Sequence, residues 1–247
     1  MRVAAFQRFA VFDDPAKVGE NVLRDLTWAD QQGIDLAVFP ESYFQGHSYD
    51  QSLIERRALS LDSPVVCELL NNLAGIRATA ILGLFERRGE LIFNSAMVIQ
   101  SGRFAGIYAK AFPIEDGCSP GTQYPIWNEG NWRFGINICN DMNYPEAAQQ
   151  LTKQGANLIC APINNMLRPK KAEMFRARSV ENLQASARRT GCWVVTADIA
   201  GPGNDAWFSY GCTVIVRPDG TIAKRARELV EDMVVFDMPV PSMGLLG

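Results

Sequence analysis

The chain has 247 residues, 47% of them apolar and 21% charged, with a formal net charge of −3. Such a length buries most of its apolar surface without disulfide or metal support, and the composition is that of a globular protein. No block of like charge stands out, and "RPKK" at 168–171 is too short for a nucleic-acid footprint, so neither nucleic acid nor an anionic membrane is expected as partner.

In chain order, "RVAAFQRFAV" (2–11) reads as a strand. Asp13 and Asp14 before Pro15 mark a helix start; Val18, Val22, Leu26 and Ala29 then recur at helical spacing, and Gly33 ends the helix. "IDLAVF" (34–39) is a short buried strand running into Pro40 and Glu41. A helix is predicted over 63–76, a strand over 78–86, and a hairpin over 94–110 turning at Ser101-Gly102. "WRFGINIC" (132–139) reads as a strand ending at Cys139, and Pro145 opens a helix through about Gln154. "ANLICAP" (156–162) is a strand, 171–189 a long amphipathic helix, and "GCWVVTADI" (191–199) the strand after it. "GCTVIVRPDGTIAKRA" forms a second hairpin turning at Pro218-Asp219-Gly220.

Alternating βα units and hairpins predict one α/β domain over 1–247 with mixed sheets and no linker. "IDLAVFP" and "ANLICAP" echo each other, which points to two similar halves with sheets face to face and helices outside. The opening residues lack the uninterrupted apolar core of a signal peptide, and no apolar run reaches the ~18 residues that span a bilayer. The six cysteines form no CxxC pair and match neither a zinc site nor a disulfide framework. A reduced, cytoplasmic protein with no metal and no cofactor is the expectation.

His47 is the single histidine, so any Cys-His or Ser-His mechanism must use it. Three other reactive side chains sit at the ends of predicted strands: Glu41, Lys110 and Cys139. Ligands in α/β folds bind beyond such carboxyl ends. Singly, each has a plain structural reading: a buried sulfur, a helix-start carboxylate, an exposed lysine.

The blocks around them resemble the nitrilase superfamily of carbon–nitrogen hydrolases, in its amidase-like branch. "MRVAAFQ", "GIDLAVFPESYFQG", "GIYAKAFP", "GINICNDMNYPE", "RARSVENLQASARRTGCWVVTAD" and "SYGCTVIVRPDGTI" occur in that family's order over nearly the whole chain. The resemblance implies a four-layer αββα sandwich, a Glu41–Lys110–Cys139 triad, and a homodimer or higher homo-oligomer. It also implies an assisting glutamate before a "PG". Glu115 in "PIEDGCSPG" fits, with Asp116 as rival and a surface turn as the alternative. The family's histidine after the lysine is Phe112 here, and Cys139-Asn140-Asp141 replaces the Cys-Trp-Glu of true nitrilases, which favours amides over nitriles.

The expected chemistry is hydrolysis of a small linear amide. Cys139 attacks, Glu41 takes its proton, and Lys110, helped by the Asn140 N–H, faces the oxyanion. An N-carbamoyl amide hydrolase, an acyltransferase and a non-catalytic binding module are the alternatives. Asp141 and Glu146 are read as holding local backbone and helix start, and His47 as a loop residue near the pocket mouth. Asn164, Asn165 and Arg168 follow the strand at 156–162 and are candidate substrate contacts, or a capped loop.

Overall fold

The computed structural model describes residues 1–204 and 207–241. The first strands are β1 (Arg2–Phe9), β2 (Leu36–Val38), β3 (Thr79–Arg88), β4 (Leu91–Gln100) and β5 (Arg103–Ala109). Then come β6 (Ile126–Glu129), β7 (Trp132–Ile136), β8 (Leu158–Pro162) and β9 (Trp193–Ala197). The last are β10 (Ile199–Asn204), β11 (Trp207–Ser209), β12 (Val214–Val216), β13 (Ile222–Arg225) and β14 (Asp232–Asp237). One sheet has the order β11-β10-β1-β2-β3-β4-β5, with β14 also on β1; the other has the order β13-β12-β9-β8-β7-β6.

Side-chain alternation explains how the sheets meet. Val3 and Ala5 of β1 join Val38, Ile81 and Val98 on one face, against Phe134, Ile136, Leu158 and Val195 of the second sheet. The intervening Ala4 and Phe6 point the other way, onto helices. Burying a side chain such as Phe134, fully enclosed here, contributes about 1.5–3 kcal/mol. Cys160 lies in this inter-sheet core and is fully buried.

The helices are α1 (Pro15–Gln31), α2 (Gln51–Arg57), α3 (Pro64–Asn72), α4 (Pro145–Lys153) and α5 (Pro169–Thr190). Val18, Val22, Leu26 and Ala29 of α1 pack with α3 on the outer face of the first sheet. Asp14 caps α1 by accepting the Lys17 N–H at 2.9 Å. Leu151 of α4 and Val180, Leu183 and Ala187 of α5 cover the outer face of the second sheet. The result is the four-layer αββα order. None of the described helices is long and apolar enough to cross a membrane.

The echo between the two "P-ended" strands is real topology. β2 runs parallel to both β1 and β3, and β8 parallel to both β7 and β9. Two expectations need correcting. The strand expected over 132–139 ends at Ile136, and Cys139 opens a 3-10 helix, Cys139–Asn143. The strand expected over 191–199 breaks at Asp198. There the chain leaves β9 in one sheet and enters β10 in the other. The buried Asp198 carboxylate anchors this crossing by accepting the Asn165 N–H and Nδ2–H, both at 3.0 Å. The short strands β6 and β11, the final β14 and helix α2 were not anticipated.

Candidate active site

The loops after β2 and β8 meet, as their sequence echo suggests. The Glu41 N–H donates to the Ile163 carbonyl at 3.2 Å, joining the two sheets. The turn carrying Glu41 lies directly on β3 at Gly83, where a Cβ would come within 2.4 Å of the Pro40 oxygen and the Ser42 nitrogen. Any side chain there would displace the glutamate. Ser42, the next residue, has a left-handed φ of 46°.

Lys110 follows β5 directly. Its N–H donates to the Asn94 carbonyl of β4 at 2.8 Å, and the Asn94 Nδ2 donates to Glu41 Oε1 at 2.7 Å. Asn94 thus fixes lysine and glutamate together. The Lys110 ammonium donates to Glu41 Oε1 at 2.6 Å and to Glu115 Oε1 at 2.7 Å. All three side chains are about 1% exposed. Glu115 faces this cluster, whereas Asp116 is exposed. His47 is also drawn in: it is 8% exposed and its Nε2 lies 3.1 Å from Glu115 Oε1. His47 is in a loop beside a cavity, as expected, and its ring also reaches the carboxylate cluster. One donor atom each from Glu41, His47 and Glu115 lies within 4.8 Å of the others. The Lys110 ammonium already bridges the two carboxylates, as a bound cation would.

Cys139 reaches the cluster from the second sheet. Its φ of 40° is left-handed, a conformation that costs a non-glycine residue of order 1–3 kcal/mol and that sharp turns presenting a nucleophile exploit. Asp141 holds that turn. Its carboxylate accepts the Ile138 N–H at 2.9 Å, the Phe112 N–H at 2.9 Å and the Tyr108 hydroxyl at 2.8 Å. The lysine loop and the cysteine turn are therefore tied by one buried side chain. Asp141→Asn replaces one acceptor oxygen with a donor facing donors. The expected cost is about 1–3 kcal/mol, read as a lower urea midpoint, with reduced activity as the cysteine turn loosens. An unchanged midpoint would remove Asp141 from this role.

The electrostatics follow from burial. Burial opposes the Lys110 charge, but Glu41 and Glu115 outweigh it and hold the ammonium well above its ordinary range. Burial likewise opposes ionisation of Glu115, yet Lys110 and His47 hold its carboxyl well below the usual carboxylate range. Burial and the Glu41 charge push the Cys139 thiol well above its ordinary value, against the pull of Lys110. A thiol held in that direction needs a base to attack. Glu41 Oε2 is buried and has no hydrogen-bond partner among the described residues.

Cys139 borders a cavity of about 200 Å³ with Tyr49, Asn140, Asn164, Asn165 and Lys171 in its wall. The Asn164 side chain accepts the Met166 N–H at 3.1 Å, and Asn165 is tied to Asp198. Both therefore border the cavity with side chains engaged in the fold. Arg168 is absent from the wall described for this cavity; its guanidinium lies 5.7 Å from the Trp207 ring centre. Asn140 donates its Nδ2 to the Phe112 carbonyl at 2.8 Å.

The family model for carbon–nitrogen hydrolases matches residues 2–246. This chain is a carbon–nitrogen hydrolase. It belongs to the nitrilase superfamily. It is 24% identical over 247 residues to a nitrilase of Pyrococcus abyssi, covering 96% of this chain and 89% of that one. It is 27% identical over 208 residues to an (R)-stereoselective amidase of a Pseudomonas species, covering 83% and 73%. The carbon–nitrogen hydrolase fold is matched by an amidase from Nesterenkonia sp., with a TM-score of 0.83 at 22% identity over 97% of this chain and 90% of that one. In a structure of a mutant of the amidase from Nesterenkonia sp. AN1, acrylamide has undergone Michael addition at the active-site cysteine.

Asn94, Tyr49 and Tyr108 were missed at the level of sequence. Asn94 carried a signal: with Ser95 it interrupts the apolar run "IFNSAMVI" of this hydrolase. A polar group on a buried strand must find a partner.

Proposed function

We propose that this hydrolase is a thiol amidase that cleaves a small linear non-peptide amide through an acyl-enzyme on Cys139. The observation supporting it best is the union of a neutral thiol with a buried carboxylate and ammonium. The unpartnered Glu41 Oε2 takes the Sγ proton as Sγ attacks the carbonyl carbon. An ammonium has three N–H donors, and two are engaged by Glu41 and Glu115. The third is left for the developing oxyanion, with the Asn140 N–H, which lies in the first turn of the 3-10 helix and has no partner within it. The tetrahedral intermediate collapses as protonated Glu41 returns its proton to the leaving nitrogen, releasing ammonia or an amine. Glu41 then takes a proton from water, the hydroxide attacks the thioester, and the carboxylic acid leaves as Cys139 regains its proton. Glu115 and His47 keep Lys110 in place.

Glu41→Gln tests the base directly. Ammonia release from small amides is expected to fall about 10²–10⁴-fold. Alkylation of wild-type Cys139 by iodoacetamide is expected to keep rising through pH 9, because the thiol pKa lies above its ordinary 9.0. Turnover within threefold of wild type in Glu41→Gln, or an alkylation plateau below pH 8, would remove Glu41 and the neutral thiol from the mechanism. A homodimer or higher oligomer in the cytoplasm completes the proposal, with sedimentation as its check.

A further inference from the structure

A second cavity of about 590 Å³ adjoins the catalytic one, and Tyr49 lines both. Its wall includes Phe12, Leu53, Met166 and Trp207, together with His47 of the buried cluster. Tyr49 stacks on Trp207 with ring centres 5.7 Å apart and meets the His47 ring edge-on at 4.8 Å.

The two charged residues of this wall are turned to the fold, Arg57 fully and Asp50 through one oxygen. Arg57 donates to Asp13 Oδ1 at 2.7 Å and Oδ2 at 2.8 Å, and to the Gly46 and His47 carbonyls. Asp50 caps α2 through the Leu53 N–H at 3.0 Å and accepts the Ser52 hydroxyl at 2.6 Å. The larger part of the wall open to a ligand is the apolar surface of Phe12, Tyr49, Leu53, Met166 and Trp207. The cavity holding Cys139 carries more amide side chains in its wall, from Asn140, Asn143, Asn164, Asn165 and Asn182, beside apolar residues such as Ile163 and Phe175. At about 200 Å³ it is also smaller than the roughly 300–1,000 Å³ of ordinary small-molecule sites, whereas the second cavity falls inside that range.

We propose that the second cavity is a subsite for a neutral aryl or arylalkyl substituent of the amide substrate, with the Tyr49 ring between it and the carboxamide at Cys139. The proposal rests on the amidase reading for what sits at Cys139. It goes beyond that reading by naming the substrate class as amphipathic, with a polar amide end and an uncharged aromatic end.

The test separates binding from turnover. In the Cys139→Ala protein, 3-phenylpropionamide is expected to bind about 30-fold tighter than propionamide, the gain coming from the buried ring. Leu53→Trp, which fills the cavity from α2, and Trp207→Ala, which removes its aromatic wall, are each expected to cut that ratio below about fivefold. Thermal midpoints would show that both variants are folded. In the parent enzyme kcat/KM for the two amides should differ in the same direction. A ratio below threefold, or one unchanged in both variants, would overturn the subsite. An aryl-dependent binding gain with no turnover of either amide would leave the subsite standing and defeat the amidase reading instead.

Discussion

Replacing Cys139 with alanine is expected to lower ammonia release by roughly four orders of magnitude or more, because no other group can form the acyl-enzyme. The fold should survive. The substitution removes one sulfur at the edge of a cavity, and the left-handed φ of 40° strains alanine no more than cysteine. A urea midpoint close to wild type would separate this loss from unfolding. Retained turnover would end the assignment of Cys139. Cys118 is another cysteine near the cluster, and its thiol is pushed up to about 12 by burial and the Glu115 charge. Cys160 and Cys212 are fully enclosed thiols pushed up by burial, and Cys67 is exposed.

Lys110→Met should do the most damage to the protein as a whole. Glu41 and Glu115 would face each other, their side chains about 1% exposed, without their shared cation. Removing one partner of a buried ion pair costs about 3–5 kcal/mol. Activity should fall at least about 100-fold with the loss of the oxyanion donor. Glu115 has its folded pKa held below its ordinary 4.5. Its contribution to stability is therefore complete above pH 4.5 and is lost as pH falls through the depressed value. In Lys110→Met that dependence should reverse, since the two carboxyls are then driven to share a proton. Adding Glu115→Gln should recover much of the urea midpoint but none of the activity. A single variant as stable as wild type at pH 7 would show that the cluster does not depend on its cation.

Much of this site could be read from the chain because its parts sit beside strong punctuation. Glu41 follows an apolar strand and Pro40, and Lys110 ends a hairpin whose turn at Ser101-Gly102 was plain. The helical spacing of Val18, Val22, Leu26 and Ala29 gave the outer face of α1. What escaped were relations that need three dimensions. The split at Asp198 between β9 and β10 depends on which sheet each half pairs with. Strand β14 pairs with β1 across more than two hundred residues, beyond the reach of local pattern. Glu115 could be separated from Asp116 only by seeing which of them turns inward to Lys110. His47 is the loop residue its position suggests, but no local pattern shows that its ring is held against Glu115. The large aromatic cavity is assembled from Phe12, Tyr49, Met166 and Trp207, which no spacing rule connects.

The most direct measurement is intact-mass analysis of the enzyme during turnover of a panel of small amides, with peptide mapping and ammonia release followed in parallel. The account expects a mass increment equal to the acyl group, located on the peptide holding Cys139 in the wild-type enzyme, formed far more slowly in Glu41→Gln and absent from Cys139→Ala. Ammonia released with no adduct on Cys139, or an adduct that persists in Cys139→Ala, would contradict it.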